Sequence, residues 1–480
     1  MKKIWFALTA LISLGLTQAQ NEVDALRYSL TSPGGTARST ALSGAFGALG
    51  ADFSTLSTNP AGIGVYQGSE FTFTPSLYLG NTESGFLGGY GEDLKYNFNL
   101  GNAGLVFSIP TGPASKNKGW KSFQFGMGLN RLANFNNRIL IEGFNAQSSL
   151  LDAYKDYAFG KRPGELDPFD TELAWNTWLL DTLSNSGTQY SSAVEGGNVT
   201  QRKSITSDGS INEFVLSMGA NYRDKLYLGA SLGFPFVRYF ENSSYMEKDY
   251  DDYYPDFDEF NVFETLEARG SGVNFKLGMI YRAADWVRMG VALHTPTFYT
   301  MREDYNTTIA SRFDNGDAYE SSSPDGRFDY ELETPMRAIG SIAFIVGKMG
   351  LISADYELVD YSSARLRSST YRFFDENNAI RNSYTAAGNL RLGTEWRYEN
   401  FSFRGGFAMY GSPYKNNLND GERTSLSLGL GVREEGYFLD FAYIRTMYSE
   451  DYYLYDPARV PAALNDFTQQ SFLMTLGLRF

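Results

Sequence analysis

The amino-acid sequence predicts an all-β protein: a transmembrane antiparallel β-barrel of about 14 strands with an N-terminal plug, or hatch, inside its lumen. Three observations carry that expectation. Short segments alternate large apolar residues with tiny or charged ones at period two, as strands do when their two faces meet different surroundings. Short and long connections between the segments also alternate. The composition leans towards strands, with 49 Gly, 33 Tyr and 36 Phe beside 15 Pro and no Cys in 480 residues.

The first element is a leader. Lys2 and Lys3 precede an apolar stretch at 4–16, and Thr17-Gln18-Ala19 offers small residues at cleavage spacing, so residues 1–19 read as a secretory signal peptide. Beyond it no run approaches the roughly 18 to 20 apolar residues of a spanning helix, in keeping with a mean hydropathy of -0.32. Without Cys there is no disulfide framework, thiolate nucleophile or lipoprotein anchor. A single His leaves little room for acid/base or metal chemistry, so neither an enzyme nor a cofactor is expected. A formal net charge of -14, more negative once Lys2 and Lys3 are gone, opposes nucleic-acid binding.

Residues 20–67 do not alternate. The stretch 32–50 is rich in Gly and Ala and suits short helical turns packed tightly inside something. Asn59-Pro60-Ala61-Gly62 then makes a turn, because Pro60 fixes its own φ and biases Asn59 away from helix. With no room for a separate domain, this segment is placed in the lumen as the hatch.

From 68 to 480 the chain reads as barrel. Its apolar rows start at Phe71, Leu105, Phe123, Phe214, Leu226, Val273, Val287, Ile342, Ile352, Leu390, Phe401, Leu426, Tyr437 and Phe472. In one row Leu426, Leu428, Leu430 and Val432 share a face, opposed by Ser425, Ser427, Gly429 and Gly431. An even strand number puts both termini on one side, and closure is how strands span lipid without unpaired backbone groups. Short turns are expected near 115–119, 223–225, 283–285, 347–349, 398–400 and 434–436. Long external loops are expected near 80–97, 139–210 (the longest), 241–262, 301–332, 361–386, 411–423 and 447–470. A soluble sandwich alternates too, but its loops have no reason to sort by side. Pro75 and Pro235 should each sit at a strand end, bulge or local gap. Lumen-facing Gly126, Gly128, Gly229, Gly233, Gly429 and Gly431 either relieve crowding or keep a path open.

The run Thr36-Ala-Arg-Ser-Thr-Ala-Leu-Ser-Gly-Ala-Phe-Gly-Ala48, followed by Asp52 and Ser57-Thr-Asn-Pro-Ala-Gly62, is similar to the hatch of the FadL/TodX family. That family comprises outer-membrane transporters for long-chain fatty acids and other hydrophobic compounds. The likeness extends to Ala354-Asp-Tyr-Glu-Leu-Val-Asp-Tyr-Ser362, Leu390-Arg-Leu-Gly-Thr-Glu-Trp-Arg-Tyr398, the segment Phe403-Arg-Gly-Gly-Phe-Ala408, and Ser412-Pro413. It implies a monomeric barrel in the outer membrane, plugged by its own N-terminus and taking up hydrophobic small molecules passively. Ligand would be captured by extracellular loops and released sideways through a gap near a kinked third strand. That strand is 123–137 here, and Asn130, Asn134 and Asn136 of its upper half can satisfy backbone groups freed by a kink. The upper half carries no Gly or Pro of its own to cause one. The outward-facing C-terminal Phe480 resembles the signal read by the barrel-assembly machinery.

Candidate binding residues follow. In the long second loop, Trp175, Leu179 and Leu183 lie at helical spacing beside Trp178. An exposed apolar helix face there is a plausible ligand surface, or else packs the loop on itself. Helical capture loops lie later in the barrel in the family it resembles. Lumen-facing Arg288, Arg391, Arg397, Arg404, Asp355, Glu357, Glu395 and Asp440 suggest a charge-paired network holding the plug, from which an Arg such as Arg391 could meet a ligand carboxylate. The acidic loop from Glu247 to Glu259 matches no calcium-site spacing and reads as a solvated loop that divalent ions could link to lipopolysaccharide. A haem-binding or adhesive surface protein and a lipid-acting barrel enzyme are the other classes left. Haem ligation or hydrolysis would need His294, which otherwise reads as a wall residue.

Overall fold

The computed structural model describes residues 22–480 except 33, 112–118 and 417. The expected signal peptide, and most of the turn expected at 115–119, lie outside the described residues. Fourteen strands form the wall. They are β1 (Glu70–Phe86), β2 (Gly89–Pro110), β3 (Trp120–Asn134, continued by Asn137–Asn145), β4 (Val199–Tyr222), β5 (Leu226–Lys248) and β6 (Phe257–Ala284). Next come β7 (Val287–His294, continued by Phe298–Phe313), β8 (Gly326–Glu333, continued by Arg337–Val346), β9 (Gly350–Asp360) and β10 (Ala386–Tyr398). The last are β11 (Phe401–Tyr410), β12 (Arg423–Arg433), β13 (Tyr437–Tyr452) and β14 (Ala463–Arg479). Each pairs antiparallel with the next, and β1 closes on β14 from Glu70↔Arg479 to Gly85↔Leu464.

The outside of this cylinder is greasy and the inside polar. On β12, Leu426, Leu428 and Leu430 are 52%, 65% and 55% exposed while Ser425 and Ser427 are 1% and 3% exposed. A soluble sandwich buries its apolar face; the reverse order fits a wall bathed in hydrocarbon. No described helix is long and apolar enough to cross a membrane. Pro75 sits at a register shift between β1 and β2. Pro235 falls where the β5–β6 ladder skips from Gly233↔Asn274 to Phe236↔Ser271, so both prolines avoid a ladder bond they could not make.

The strands overrun the expected loops. The β1–β2 hairpin continues to Phe86↔Gly89, so 80–97 is ribbon rather than loop. β6 starts at Phe257 and β7 reaches Phe313. In these extensions charged residues such as Glu83, Glu92, Glu264 and Glu267 break up the apolar rows, and the alternation that marks a strand fades although its hydrogen bonds continue.

Residues 22–66 fold into short turns among the inward-facing side chains. They comprise α1 (Glu22–Arg27), α2 (Ala37–Ala41), α3 (Thr55–Thr58) and a 3-10 turn, Pro60–Val65. Thr36 caps α2 by accepting from Ser39 N at 3.2 Å, and its hydroxyl reaches Asp52 at 2.8 Å. Asn59 caps the 3-10 turn by accepting from Ala61 N at 3.1 Å, with Pro60 at the first position, where its missing N–H costs nothing. Wall glycines make the room. A methyl group on Gly104, Gly126, Gly229, Gly278, Gly290, Gly393 or Gly429 would come within 2.0–2.7 Å of Phe53, Leu56, Pro60, Asn59, Gly47, Leu42 or Ala41 respectively. At Gly233 and Gly431 the neighbours are wall side chains, Glu213 and Asp440. The lumen-facing glycines therefore relieve crowding, and the bore at this height is filled by the chain's own N-terminal segment.

Candidate functional site

Between β2 and β3 the ladder of the wall stops short, although the β1–β2 hairpin still packs on the continuation of β3, with Thr82 Oγ1 donating to Asn137 Oδ1 at 3.1 Å. The β2–β3 ladder runs only from Pro110↔Ser122 to Asn102↔Asn130, yet β2 stays paired with β1, and β3 with β4, well beyond that level. The two edges part because β3 bends. It has a register shift between Arg131 and Ala133 and breaks at Phe135 and Asn136. Asn134 Oδ1 accepts from Asn136 N at 3.0 Å and from Asn136 Nδ2 at 2.6 Å, so asparagines satisfy the groups the break frees. Asn130 marks the last rung, with Nδ2 donating to Ser57 Oγ at 2.9 Å. Gly209 of β4, at φ +135° and packed on the Arg238 carbonyl, accepts from Phe135 N at 3.0 Å.

Ser32 and Gly34 sit against the parted edges. Ser32 N donates to Leu132 O at 2.9 Å, and a methyl group on Gly34 would lie 2.5 Å from Arg131 O. Arg131 Nε reaches across to Leu100 O at 3.3 Å. Backbone groups of an opened ladder would otherwise stand unpaired facing hydrocarbon.

Inside the wall at that level lies a chamber of about 110 Å³, lined by Gly34, by Asn130 and Arg131 of β3, by Glu213 of the adjoining β4, and by His294 of β7 and Arg391 of β10. It is polar. Lys276 pairs with Glu213, which also accepts from Ser57 Oγ at 2.7 Å and Asn274 Nδ2 at 3.1 Å. His294 Nε2 lies 2.7 Å from Thr58 O and so ties wall to hatch. Arg391 Nη2 donates to Glu357 at 2.8 Å, as does Arg337 at 3.1 Å. Three buried polar atoms of the lining, Arg391 Nε, Asn274 Oδ1 and the Tyr410 hydroxyl, have no hydrogen-bond partner, which leaves donor and acceptor capacity for a polar guest.

Towards the short turns, the charged wall holds the segment by ion pairs. Glu395 accepts from Arg38 at 2.8 Å, from Arg404 at 2.7 Å and from Arg397 at 2.7 Å, and Arg404 passes on to Asp440 at 2.6 Å. Asp355 accepts from the backbone N–H groups of Phe46 and Gly47 at 3.0 and 2.9 Å. Arg288 reaches Leu49 O at 2.9 Å.

The closed 14-stranded barrel has counterparts among solved structures. No family model and no curated protein matches this chain. A Pseudomonas aeruginosa FadL homologue superposes at TM-score 0.59 and 13% identity, over 94% of this chain and all of its own. The chain has a FadL-type fold. The Pseudomonas putida toluene transporter TodX aligns at TM-score 0.53 and 11% identity, over 94% and 100% of the two chains. The Ralstonia pickettii toluene transporter TbuX does so at 0.51 and 16%, over 93% and 99%.

On this FadL-type barrel the long second loop forms a small domain of its own. It contains α4 (Leu150–Ala158), α5 (Thr171–Asn176) and a two-stranded hairpin, Leu180–Thr182 with Tyr190–Ser192. The helix expected to carry Trp175, Leu179 and Leu183 on one face does not continue: α5 ends at Asn176, and Trp178 takes φ +60°. Thr177 Oγ1 bonds back to Leu173 O at 2.8 Å, closing the last turn. Leu179 is consequently buried in the loop's core, whereas Trp178 is 57% exposed and Trp175 and Leu183 sit at the surface. The loop is clamped by Glu247, whose carboxylate accepts from Leu150 N at 2.7 Å and Gln201 Nε2 at 2.9 Å. In the acidic loop Lys248 and Arg312 pair with Asp258 and Glu259, and among the described residues no group of three or more His, Asp or Glu could hold a metal ion.

Asp170 caps α5 from a buried position, and burial pushes its carboxyl up to about 6. A folded value above the unfolded one favours the fold while the group is protonated. This contribution is complete below about 3.9 and lost as pH rises through about 6. The loop should resist protease better at pH 5 than at pH 8. In Asp170→Asn that difference should flatten, and an undiminished one would mean another group carries it.

Proposed function

We propose that the protein is a passive outer-membrane channel for hydrophobic small molecules, with long-chain fatty acids as the leading class. The extracellular loops, through exposed Trp175 and Trp178, capture the ligand. The hatch, residues 20–67, blocks the straight path, and the ligand leaves sideways between β2 and β3. Arg391, with its free Nε, is placed to meet a ligand carboxylate in the chamber.

The observation that carries this reading is the parted β2–β3 ladder in a bore that is otherwise filled. Energetics support the lateral route. Each methylene moved from an apolar site into water costs about 0.8 kcal/mol, so delivery of an acyl chain into hydrocarbon avoids a cost that delivery into the periplasm would impose. The fold is shared with proteins described as toluene transporters, which supports a hydrophobic cargo. Residues 1–19 would direct export, the strand ending at Phe480 would engage the barrel-assembly machinery, and the barrel would work as a monomer among outer-membrane lipid and lipopolysaccharide.

Deleting Phe135 and Asn136 tests the route. Loss of two residues keeps the inward and outward faces of β3 in place but removes the break. Uptake of radiolabelled oleate by cells should drop to that of cells lacking the protein, with the amount of folded barrel unchanged. Uptake equal to the parent's would sink the lateral route.

A further inference from the structure

The short-turn end of the bore holds a second cavity, of about 230 Å³, between the wall and Leu49, Gly50, Ala51 and Val65 of the N-terminal segment. Six cationic side chains line it, Arg38, Arg288, Lys348, Arg397, Arg433 and Arg479, and no carboxylate does. In a chain of net charge -14, that is a local reversal of sign.

Three of the six are accounted for by carboxylates outside the lining. Arg38 and Arg397 share Glu395, and Arg479 reaches Glu70 at 3.0 Å. Arg288, Lys348 and Arg433 make no ion pair within 4.0 Å among the described residues. Arg288 spends one nitrogen on Leu49 O, while its Nε has no partner. Arg433 lies over the Phe438 ring at 5.4 Å, and Lys348 is exposed in the turn after β8. Like charges gathered around one cavity repel one another. An anion between them would remove that repulsion.

We infer that this cavity is an oxyanion site for a carboxylate or phosphate group. Guanidinium forks fit both oxyanions with paired hydrogen bonds. The volume exceeds several waters at about 30 Å³ each, so the group fits without rearrangement. The proposal concerns the mouth and stands whatever travels through the bore.

Calorimetric titration of the detergent-purified full chain with inorganic phosphate at low ionic strength is the test. Phosphate should bind, and the combined Arg288→Gln, Lys348→Gln and Arg433→Gln variant should bind at least about tenfold more weakly, the factor expected from losing a single hydrogen bond to a charged group. Lys348→Gln alone, in an exposed turn, leaves the wall intact and should show a smaller loss in the same direction. Laurate that displaces phosphate assigns the site to an amphiphile's head; laurate that leaves it in place assigns it to free phosphate. Phosphate that binds parent and combined variant alike, or fails to bind the parent, overturns the proposal.

Discussion

Removal of residues 20–62 is expected to leave a folded barrel whose conductance in planar bilayers is higher by about an order of magnitude and unselective. The wall does not need the segment: every strand is paired with its two neighbours, and β1 closes directly on β14. The segment supplies contents rather than rungs. At its height the wall carries glycines where other barrels carry filling side chains, so its loss leaves a void that nothing else occupies. Barrels of about eight strands are filled by their own side chains and those of 16 to 18 keep an aqueous channel; fourteen strands with a glycine waist fall on the open side. A truncated barrel that conducts no more than its parent would show that the segment does not obstruct the bore.

The second large effect is expected at Glu395. Its carboxylate is fully buried and holds Arg38, Arg397 and Arg404 at 2.7–2.8 Å. Glu395→Ala leaves the buried guanidiniums of Arg38 and Arg404 with only Asp440 to answer Arg404, while Arg397 can turn to solvent. Breaking a buried pair by deleting one partner costs about 3–5 kcal/mol. Urea unfolding in lipid vesicles should therefore show the midpoint of Glu395→Ala well below the parent's. Arg38→Ala should cost distinctly less, since Glu395 keeps two partners. Equal losses in the two variants would contradict a carboxylate shared by three.

The difference between those variants shows what the sequence could convey. Period-two alternation exposed the 14 strands wherever the outer face meets hydrocarbon, because there the contrast between Leu428 outside and Ser427 inside is forced by solvent. It could not show that β1 and β2 run on to Phe86 and Gly89, where Glu83, Glu92 and Asp93 interrupt the apolar rows. It also misled at 175–183, where apolar spacing suggests helix but Thr177 and the left-handed Trp178 end it. The asparagines of β3 were legible as a place of freed backbone. The partner of the broken backbone was not, because Gly209 lies on another strand and only the folded sheet brings its carbonyl to Phe135 N. The chamber is hidden for the same reason. Gly34, Asn130, Glu213, His294 and Arg391 are far apart in the chain and meet only once the sheet has closed, whereas Glu395 and its arginines could at least be placed on the inward face.

The account rests on a barrel with its own N-terminal segment lodged inside it, and the absence of Cys allows a direct test. Ser43 Oγ of that segment lies 2.7 Å from Ser427 Oγ of the wall, and both side chains are buried. In the Ser43→Cys, Ser427→Cys double variant the two thiols should be close enough to form a disulfide. After mild oxidation of whole cells, the predicted result is a near-complete intramolecular cross-link in the folded barrel. Two free thiols that remain open to a bulky, membrane-impermeant maleimide would place the segment elsewhere and contradict the account.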